Sequence, residues 1–357
     1  MSNPTDRPDP TGATLAAELP PGWRARPPLP ADVGAVADLL RAHQQAARGV
    51  ASVDEQSLTA ELVGEGSWTR THLLVVDPAG AVRAWANVHD RAAGRAVVAV
   101  TVHPEAEAAD GLAAALLAWA ERAAVVAASH RGLTETQLDA GAYADDERQR
   151  RWLAAAGYRH VRTWLQMSRP VTPADAQGLP GAVRPGVRVR AVGKHEDGMP
   201  VADDLRTVHR ILEESFEDHF NSYRESFPEF VQRLRQDPGH RWDHWWIASV
   251  EIDGEEVPAG ALVGSVTGPD DAAGSYVDYI GVHRRARGRG VAKALLSTVV
   301  ADAASRGRTR VGLEVDADSP TGADGLYASL GWETRYRTES WHSDVTVPPE
   351  APRTPPG

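Results

Sequence analysis

The chain of 357 residues contains no cysteine. This absence excludes a disulfide framework, a zinc site built from thiolates and a cysteine nucleophile. A chain with no cysteine to oxidise is compatible with a reducing compartment, so we expect a cytoplasmic protein.

Long apolar runs are also missing, because no stretch of 18 or more consecutive apolar residues occurs. A membrane span is therefore not expected. Residues 1–22 are rich in proline, aspartate and threonine and lack the apolar region of a signal peptide. We expect a disordered leader there, and a disordered, proline-rich tail over residues 348–357.

Positive charge is in deficit, with 38 lysines and arginines against 49 aspartates and glutamates, a net charge of −11. Nucleic acid is therefore not an expected partner, since its phosphates attract a positive surface. No metal site is expected either. His240 and His244 are four residues apart, but we interpret them as surface or core histidines because no further ligand has suitable spacing.

The basic residues that are present concentrate in one glycine-containing loop. An apolar run from Tyr276 to Val282 precedes this loop and a helical pattern from Val291 to Ala304 follows it. A strand that turns through Arg-Gly-x-Gly into a helix presents free backbone N–H groups at the positive end of the helix dipole. The pattern therefore predicts a phosphate or diphosphate site. The local positive charge comes from Arg284, Arg285, Arg287, Arg289 and Lys293.

Two common phosphate loops do not fit this stretch. A Walker loop needs Lys-Ser or Lys-Thr after its glycines, and neither follows here. A dinucleotide fingerprint needs a third glycine, and Lys293 stands at that position.

The spacing Val-x-x-x-x-Arg-x-x-Gly-x-Ala, from Val282 to Ala292, resembles the acetyl-coenzyme A loop of the GNAT acetyltransferases. Residues 319–332 are similar to the second signature of that family, Asn-Pro-Thr-Gly-Ala-x-x-Leu-Tyr-x-x-x-Gly-aromatic, with Ser319 in place of the asparagine. The resemblance covers about the last third of the chain. It implies an α/β (α+β) fold with a mixed, mostly antiparallel twisted sheet flanked by helices, and acetyl-coenzyme A as co-substrate.

A weaker copy of the same pattern lies earlier in the chain. When the paired leucines of the two copies are aligned, Gly111 matches Gly290, and in the second signature Leu153 stands where Tyr327 stands. The first loop carries Glu105, Glu107 and Asp110 in place of arginines, and carboxylates repel a diphosphate. We therefore expect a tandem GNAT protein, with a layout similar to that of mycothiol synthase. Its expected parts are a degenerate domain at 23–168, a linker at 169–186 and a catalytic domain at 187–347.

The resemblance also assigns the donor site. The pantetheine arm is expected along the edge of the strand at Ile280 and Val282. The diphosphate is expected on the backbone N–H groups of the loop residues Arg287, Gly288, Arg289, Gly290, Val291 and Ala292, where a Cβ on either glycine would block close approach.

Tyr327 is the predicted general acid, because the family places a tyrosine there and a neutral phenol can donate a proton to a departing thiolate. Strand alternation puts Tyr276, Asp278, Ile280 and Val282 on one face. In some family members the general base lies on this face, which makes Asp278 the first candidate for that role. Glu314 is the second candidate, and transfer through ordered water, with Asp278 binding the cation, is left open.

The expected function is acetyl-coenzyme A-dependent N-acetylation of a small-molecule primary amine by the second domain, in a monomer or homodimer. Direct transfer needs no metal and no covalent enzyme intermediate. The alternatives are a peptide or protein N-terminal acetyltransferase and a non-catalytic acetyl-coenzyme A sensor or scaffold. The residues expected to contact the acceptor are Phe216, Asp218, His219, Tyr223, Tyr276 and Trp341.

Overall fold

The structure is a computed structural model that describes Leu15 and residues 19–91, 94–216, 225–252, 254–268, 274–319 and 322–348. It divides into two units. The first unit comprises Met1–Thr163 with Arg337–Gly357, and the second comprises Trp164–Tyr336.

The elements of the first half of the chain run in the order β1 (Arg24–Arg26), α1 (Val33–Arg48), α2 (Glu55–Leu62), β2 (Arg70–Val76), β3 (Val82–Arg91), β4 (Arg95–Val102), α3 (Ala109–His130), β5 (Glu135–Tyr143), α4 (Glu147–Ala155) and β6 (Arg159–Pro170).

The elements of the second half run in the order β7 (Val187–Ala191), α5 (Ala202–Phe216), α6 (Phe227–Arg235), β8 (His240–Ile252), β9 (Glu255–Thr267), β10 (Gly274–Val282), α7 (Val291–Ser305), β11 (Arg310–Asp316), α8 (Ala323–Ser329) and β12 (Glu333–Thr346).

Among the described residues, each unit contains six neighbouring strands that form a mixed sheet. In the first unit the order is β1-β2-β3-β4-β5-β12, and all neighbours are antiparallel except the parallel pair β4/β5. In the second unit the order is β7-β8-β9-β10-β11-β6, and the parallel pair is β10/β11. The two sheets therefore share one topology, which agrees with the predicted mixed, mostly antiparallel fold.

In a simple tandem order, β6 would complete the first sheet and β12 would complete the second. The structure has the opposite assignment. Residues Thr338–Thr346 of β12 pair with β5 in the first unit. Residues Trp164–Pro170 of β6 pair with β11 in the second unit. The sequence-based boundaries place 164–168 in the first domain and 337–347 in the second, so these boundaries contain no such exchange.

The helices around the second sheet follow the apolar pattern of the sequence. Helix α5 buries Leu205, Val208, Ile211 and Leu212 on one face, as expected from their helical spacing. Helix α7 lies so close to β9 that a Cβ on Gly260 would come within 2.4 Å of the Val291 side chain. The glycine therefore permits the start of α7 to approach the sheet.

Part of the expected leader belongs to the core of the first unit. Leu15 is fully buried there and Leu19 packs against the same cluster. Burial of these apolar side chains stabilises the fold, so the expectation of disorder fails at these two positions. Residues 1–14, 16–18 and 349–357 lie outside the described residues.

Helix α3 is long and apolar enough to cross a membrane when judged by length and composition alone. Its most apolar window is 56% buried, and it contributes Leu112, Leu116 and Trp119 to the core of the first unit. Core helices commonly meet the same criteria.

Candidate functional site

A cavity of about 910 Å³ lies in the second unit, where β10 and β11 diverge. The two parallel strands pair only at Ser275–Val277 with Val311–Leu313, although β10 continues to Val282. Its other edge still pairs with β9 as far as Gly260. The edge that faces the cavity is therefore left for an extended ligand to pair with. The predicted donor residues that line the cavity are Ile280, Val282, Arg287, Gly288, Gly290, Val291 and Ala292.

A β-bulge in β10 changes the predicted alternation. The register against β9 shifts between Val277 and Tyr279, so Asp278 is an extra residue. Val277 and Ile280 both pack against the cluster that contains α7, which an unbroken strand would not allow for positions three apart. Tyr279 packs against the cluster of α5 and α6 instead. The prediction that Tyr276, Asp278, Ile280 and Val282 share one face is therefore wrong.

The loop before α7 is folded by its own backbone. The N–H groups of Arg287 and Arg289 donate to the carbonyls of Arg284 and Ala286, each at 3.3 Å. Gly288 and Gly290 have φ values of 78° and 89°, which is the left-handed region that favours glycine. Gly290 is the N-cap of α7. The first N–H groups of the helix therefore point out of the loop without an intrahelical acceptor.

The basic side chains of the loop are distributed unequally. Arg287 and Lys293 line the cavity, whereas the Arg289 guanidinium donates to the Glu251 carbonyl at 3.0 Å. Arg289 is not among the described residues that line the cavity. Its side chain therefore holds the loop against β8.

Asp278 is half-buried in the cavity wall and accepts a hydrogen bond from the Ser265 hydroxyl at 3.2 Å. Burial raises the pKa of this carboxyl from 3.8 to about 7, an effect that Ser265 partly offsets. Asp237 raises the pKa further and Arg233 lowers it. A carboxylate with a pKa near neutrality can accept a proton and release it again at physiological pH.

Tyr327, on α8, lines the same cavity and is 7% exposed. Burial raises the pKa of its phenol to about 12, so the group remains protonated at neutral pH. Its ring centroid lies 6.3 Å from that of Trp332. The tyrosine is thus a core residue and a cavity residue at once.

Glu314 also lines the cavity, but its environment differs from that of Asp278. It is exposed and accepts a hydrogen bond from the Gln166 amide at 2.8 Å. Of the two candidates for the base, Asp278 is therefore the less exposed to solvent.

One part of the cavity lining combines aromatic and charged groups. Arg233 binds both oxygens of Glu225, at 2.9 and 2.7 Å, and lies over the Tyr279 ring. Phe216, which was predicted, lies here with its ring centroid 6.5 Å from that of Tyr279. Most of this part of the lining was not predicted from the sequence, and it is formed by Trp164, His209, Glu213, Glu225, Phe230 and Arg233. The helical pattern of α5 and the Ser226–Glu229 capping box of α6 are the signals that could have identified it.

Other predicted acceptor residues are not brought to this cavity. Tyr276 is not among its described lining residues, and its ring lies against Gly312. Trp341 is buried in the core of the first unit, because the second part of β12 pairs with β5 there. Asp218, His219 and Tyr223 lie outside the described residues.

The described residues contain no group of three or more histidines, aspartates or glutamates arranged to hold a metal ion.

The corresponding region of the first unit is closed. Its cavity beside β4 and β5 measures about 10 Å³, room for no more than one water molecule. Leu153, which replaces the tyrosine, and Trp152 line it. Helix α3 begins at Ala109, although the position aligned with the start of α7 is Leu112, so Gly111 lies inside a helix. Asp110 accepts hydrogen bonds from Trp152 and Arg151.

Comparisons with known proteins agree with this geometry. The sequence model of the Acetyltransferase (GNAT) family matches residues 206–332. A mycothiol acetyltransferase of Stackebrandtia nassauensis is 27% identical over 314 residues, which cover 86% of this chain and 94% of the relative. An acetyltransferase of Pectobacterium atrosepticum is 31% identical over 132 residues, 37% of this chain and 83% of the relative.

A solved structure with a similar fold is a GCN5-related N-acetyltransferase from Sphaerobacter thermophilus. It has a TM-score of 0.72 and 26% sequence identity, and the match covers 92% of this chain and 97% of that one. The likeness therefore extends over both units.

Proposed function

Because the chain belongs to the GNAT acetyltransferase family and is therefore an acyltransferase, we propose that its second unit transfers the acetyl group of acetyl-coenzyme A to a primary amine of a small molecule. Family and fold are those predicted from the loop and the Tyr327 signature. The family uses acetyl-coenzyme A as co-substrate, and the assignment to one unit and one acceptor class is our proposal.

One observation carries the proposal. The glycine loop, the open edge of β10, Asp278 and Tyr327 all line one cavity of about 910 Å³. The matching region of the first unit has about 10 Å³. An extended donor therefore has room in the cavity of the second unit, whereas the cavity described at the matching place in the first unit is too small to admit one.

The geometry suggests how the chain would hold its donor. The open edge of β10 at Ile280 and Val282 would pair with the amides of the pantetheine arm. The first N–H groups of α7, together with Arg287 and Lys293, would attract the diphosphate. Bound acetyl-coenzyme A supplies the acetyl thioester that is transferred.

Two side chains would move the protons. The acceptor amine enters as an ammonium ion, and Asp278 would accept its proton, directly or through water, so that the nitrogen lone pair can attack the carbonyl carbon. Glu213 and Glu314 also line the cavity and would favour a cationic acceptor. When the carbon–sulfur bond breaks, Tyr327 would donate its proton to the departing thiolate. The nitrogen loses its second proton as the amide forms, and this proton would restore the Tyr327 phenol.

The test is a thiol-release assay with acetyl-coenzyme A and a panel of small amines, amino acids, aminoglycosides and peptides. Unacetylated mycothiol belongs in the panel because the relative from Stackebrandtia nassauensis is a mycothiol acetyltransferase. Amine-dependent release and a mass increase of the amine by one acetyl group are expected. Release with peptides alone would favour an N-terminal acetyltransferase. Tight donor binding without release would favour a sensor.

Replacing Tyr327 by phenylalanine provides the mechanistic arm of this test. We expect kcat to fall about a hundredfold, because general acid catalysis contributes at least that much, while acetyl-coenzyme A binds as before. Tyr158→Phe is the matched control, since Tyr158 is equally buried but lies in the first unit. Unchanged turnover of the Tyr327→Phe variant would remove Tyr327 from the mechanism.

A further inference from the structure

The segment between β6 and β7, predicted to be a linker, is attached to the second unit by several contacts. The N–H of Leu179 donates to the Ser297 hydroxyl on α7 at 2.8 Å. Gly178 passes so close to α7 that a Cβ there would lie 2.7 Å from that hydroxyl. Val171 and Ala182 are buried, at 8% and 2% exposure. We call residues 171–186 the strap.

The strap places one arginine at the glycine loop. The Arg184 guanidinium donates to the Gly288 carbonyl at 2.9 Å. A Cβ on Gly290 would lie 3.0 Å from the Arg184 side chain. Arg184 also lines the large cavity, together with Arg287 and Lys293 of the loop. Three cationic side chains therefore surround the point at which α7 begins.

None of the described carboxylates lies within ion-pair distance of Arg184, whereas the neighbouring Arg188 pairs with Glu256 at 2.8 Å. One of the five N–H groups of Arg184 is used by the Gly288 carbonyl, which leaves donors of a planar fork for another acceptor. The guanidinium fork matches the oxygens of a phosphate group.

We propose that Arg184 binds a phosphate group of acetyl-coenzyme A and so makes the strap part of the donor site. This inference rests on the proposed use of the second unit as the donor site, and it adds a residue outside both signatures. The hydrogen bond to Gly288 orients the guanidinium, and the charge attracts the donor. Arg184 does not touch the reacting atoms, so it is a positioning residue that acts on donor affinity and leaves the chemical step unchanged.

The experiment compares Arg184→Ala, Arg184→Gln and Arg184→Lys in the full chain. The measurements are calorimetric Kd values for acetyl-coenzyme A and steady-state kinetics. We expect Arg184→Ala to raise Kd and the donor KM about tenfold, the usual effect of losing a charge-assisted hydrogen bond, with kcat within about twofold. Glutamine retains a donor for Gly288 but no charge, so it should resemble alanine, whereas lysine should restore part of the affinity.

Shortened donors separate phosphate binding from a structural role. S-acetylpantetheine has no phosphate, so its turnover should be the same in the wild-type chain and in Arg184→Ala. If Arg184→Ala binds 3′-dephospho-acetyl-coenzyme A as tightly as the wild-type chain does, the group bound by Arg184 is the 3′-phosphate. If the variant still binds this donor more weakly, the group bound by Arg184 is the diphosphate. Arg188→Ala is the matched control and should change neither Kd nor KM.

Two outcomes would overturn the inference. Wild-type affinity of Arg184→Gln would show that only the hydrogen bond to Gly288 matters. An equal loss of turnover with S-acetylpantetheine would show a structural defect. A wild-type chain that binds no acetyl-coenzyme A would instead refute the proposed donor site, and this inference with it.

Discussion

At the scale of the residue, Asp278 shows how a β-bulge can place a carboxyl group in the wall of a cavity, where its pKa is raised. The bulge in β10 adds this residue to the strand, and burial raises its pKa to about 7. A regular strand would have placed the residue in the alternation predicted from sequence. The sequence indicated the residue, but the bulge depends on pairing with β9 and leaves no local pattern to identify it.

The raised pKa of Asp278 makes activity depend on pH. A base must be deprotonated, so the wild-type kcat/KM should rise through an acidic limb near pH 7 and level off above it. Asp278→Asn should lower kcat/KM about a hundredfold at pH 8 and abolish this limb. Persistence of the limb in the variant would show that another group is the base, with Glu314→Gln as the next variant to measure.

The same shift has a consequence for stability, with a definite sign. The folded chain holds the Asp278 proton up to about pH 7, whereas the unfolded chain releases it near the ordinary pKa of 3.8. Folding stability therefore falls as the pH rises between these values. Asp278→Asn removes this loss. The free energy of unfolding of the variant minus that of the wild type should therefore be larger at pH 8 than at pH 4. Urea unfolding at the two pH values measures this difference.

At the scale of the element, the start of α7 was largely predictable, and the aromatic and charged wall of the cavity was not. Glycine spacing and the helical pattern are local, and both appear in the observed loop and helix. The wall is assembled from side chains that are distant in sequence, such as Trp164, His209 and Arg233. The contact of Arg184 with Gly288 was not predicted for a similar reason, because residues 169–186 were interpreted as a linker.

Gly290 is the position at which the loop tolerates a side chain least. Gly290→Ala would place a Cβ at φ 89° and 3.0 Å from the Arg184 side chain. We expect acetyl-coenzyme A affinity to fall at least about tenfold, because the loop N–H groups and Arg184 are both displaced. Equilibrium binding measures the loss.

Gly307→Ala is the matched control for this change. Gly307 follows the other end of α7 with φ 72° and open space around its Cβ position. Both substitutions should cost about 1–2 kcal/mol of stability, since the left-handed conformation disfavours any Cβ. Only Gly290→Ala should weaken binding, and equal affinity of the two variants would contradict this account of the loop.

At the scale of the whole molecule, each unit is completed by a strand that sequence reasoning assigned to the other copy. The copies were recognised because their motifs repeat in order. The exchange could not be recognised from the repeated motifs. Strands β6 and β12 occupy equivalent positions in the two sheets, so the sequence pattern of each strand is compatible with either sheet. Only pairing across long sequence separations distinguishes the alternatives.

The exchange predicts which fragments fold. A fragment of residues 164–336 contains all six strands of the second sheet, whereas a fragment of residues 187–347 lacks β6 and leaves the outer edge of β11 open. We expect the first fragment to melt cooperatively and the second to be less stable and prone to aggregate, since an exposed edge strand pairs with other chains. Thermal melts and light scattering decide this, and a more stable 187–347 fragment would contradict the observed strand assignment.

The pairing of β5 with β12 also sets the order in which the molecule can form. Glu135 of β5 pairs with Thr346, so the first sheet cannot close until Thr346 has left the ribosome. The second sheet needs nothing beyond Tyr336. During synthesis the half that is translated first is therefore completed last, and its unpaired β5 edge is exposed while the second half is being made.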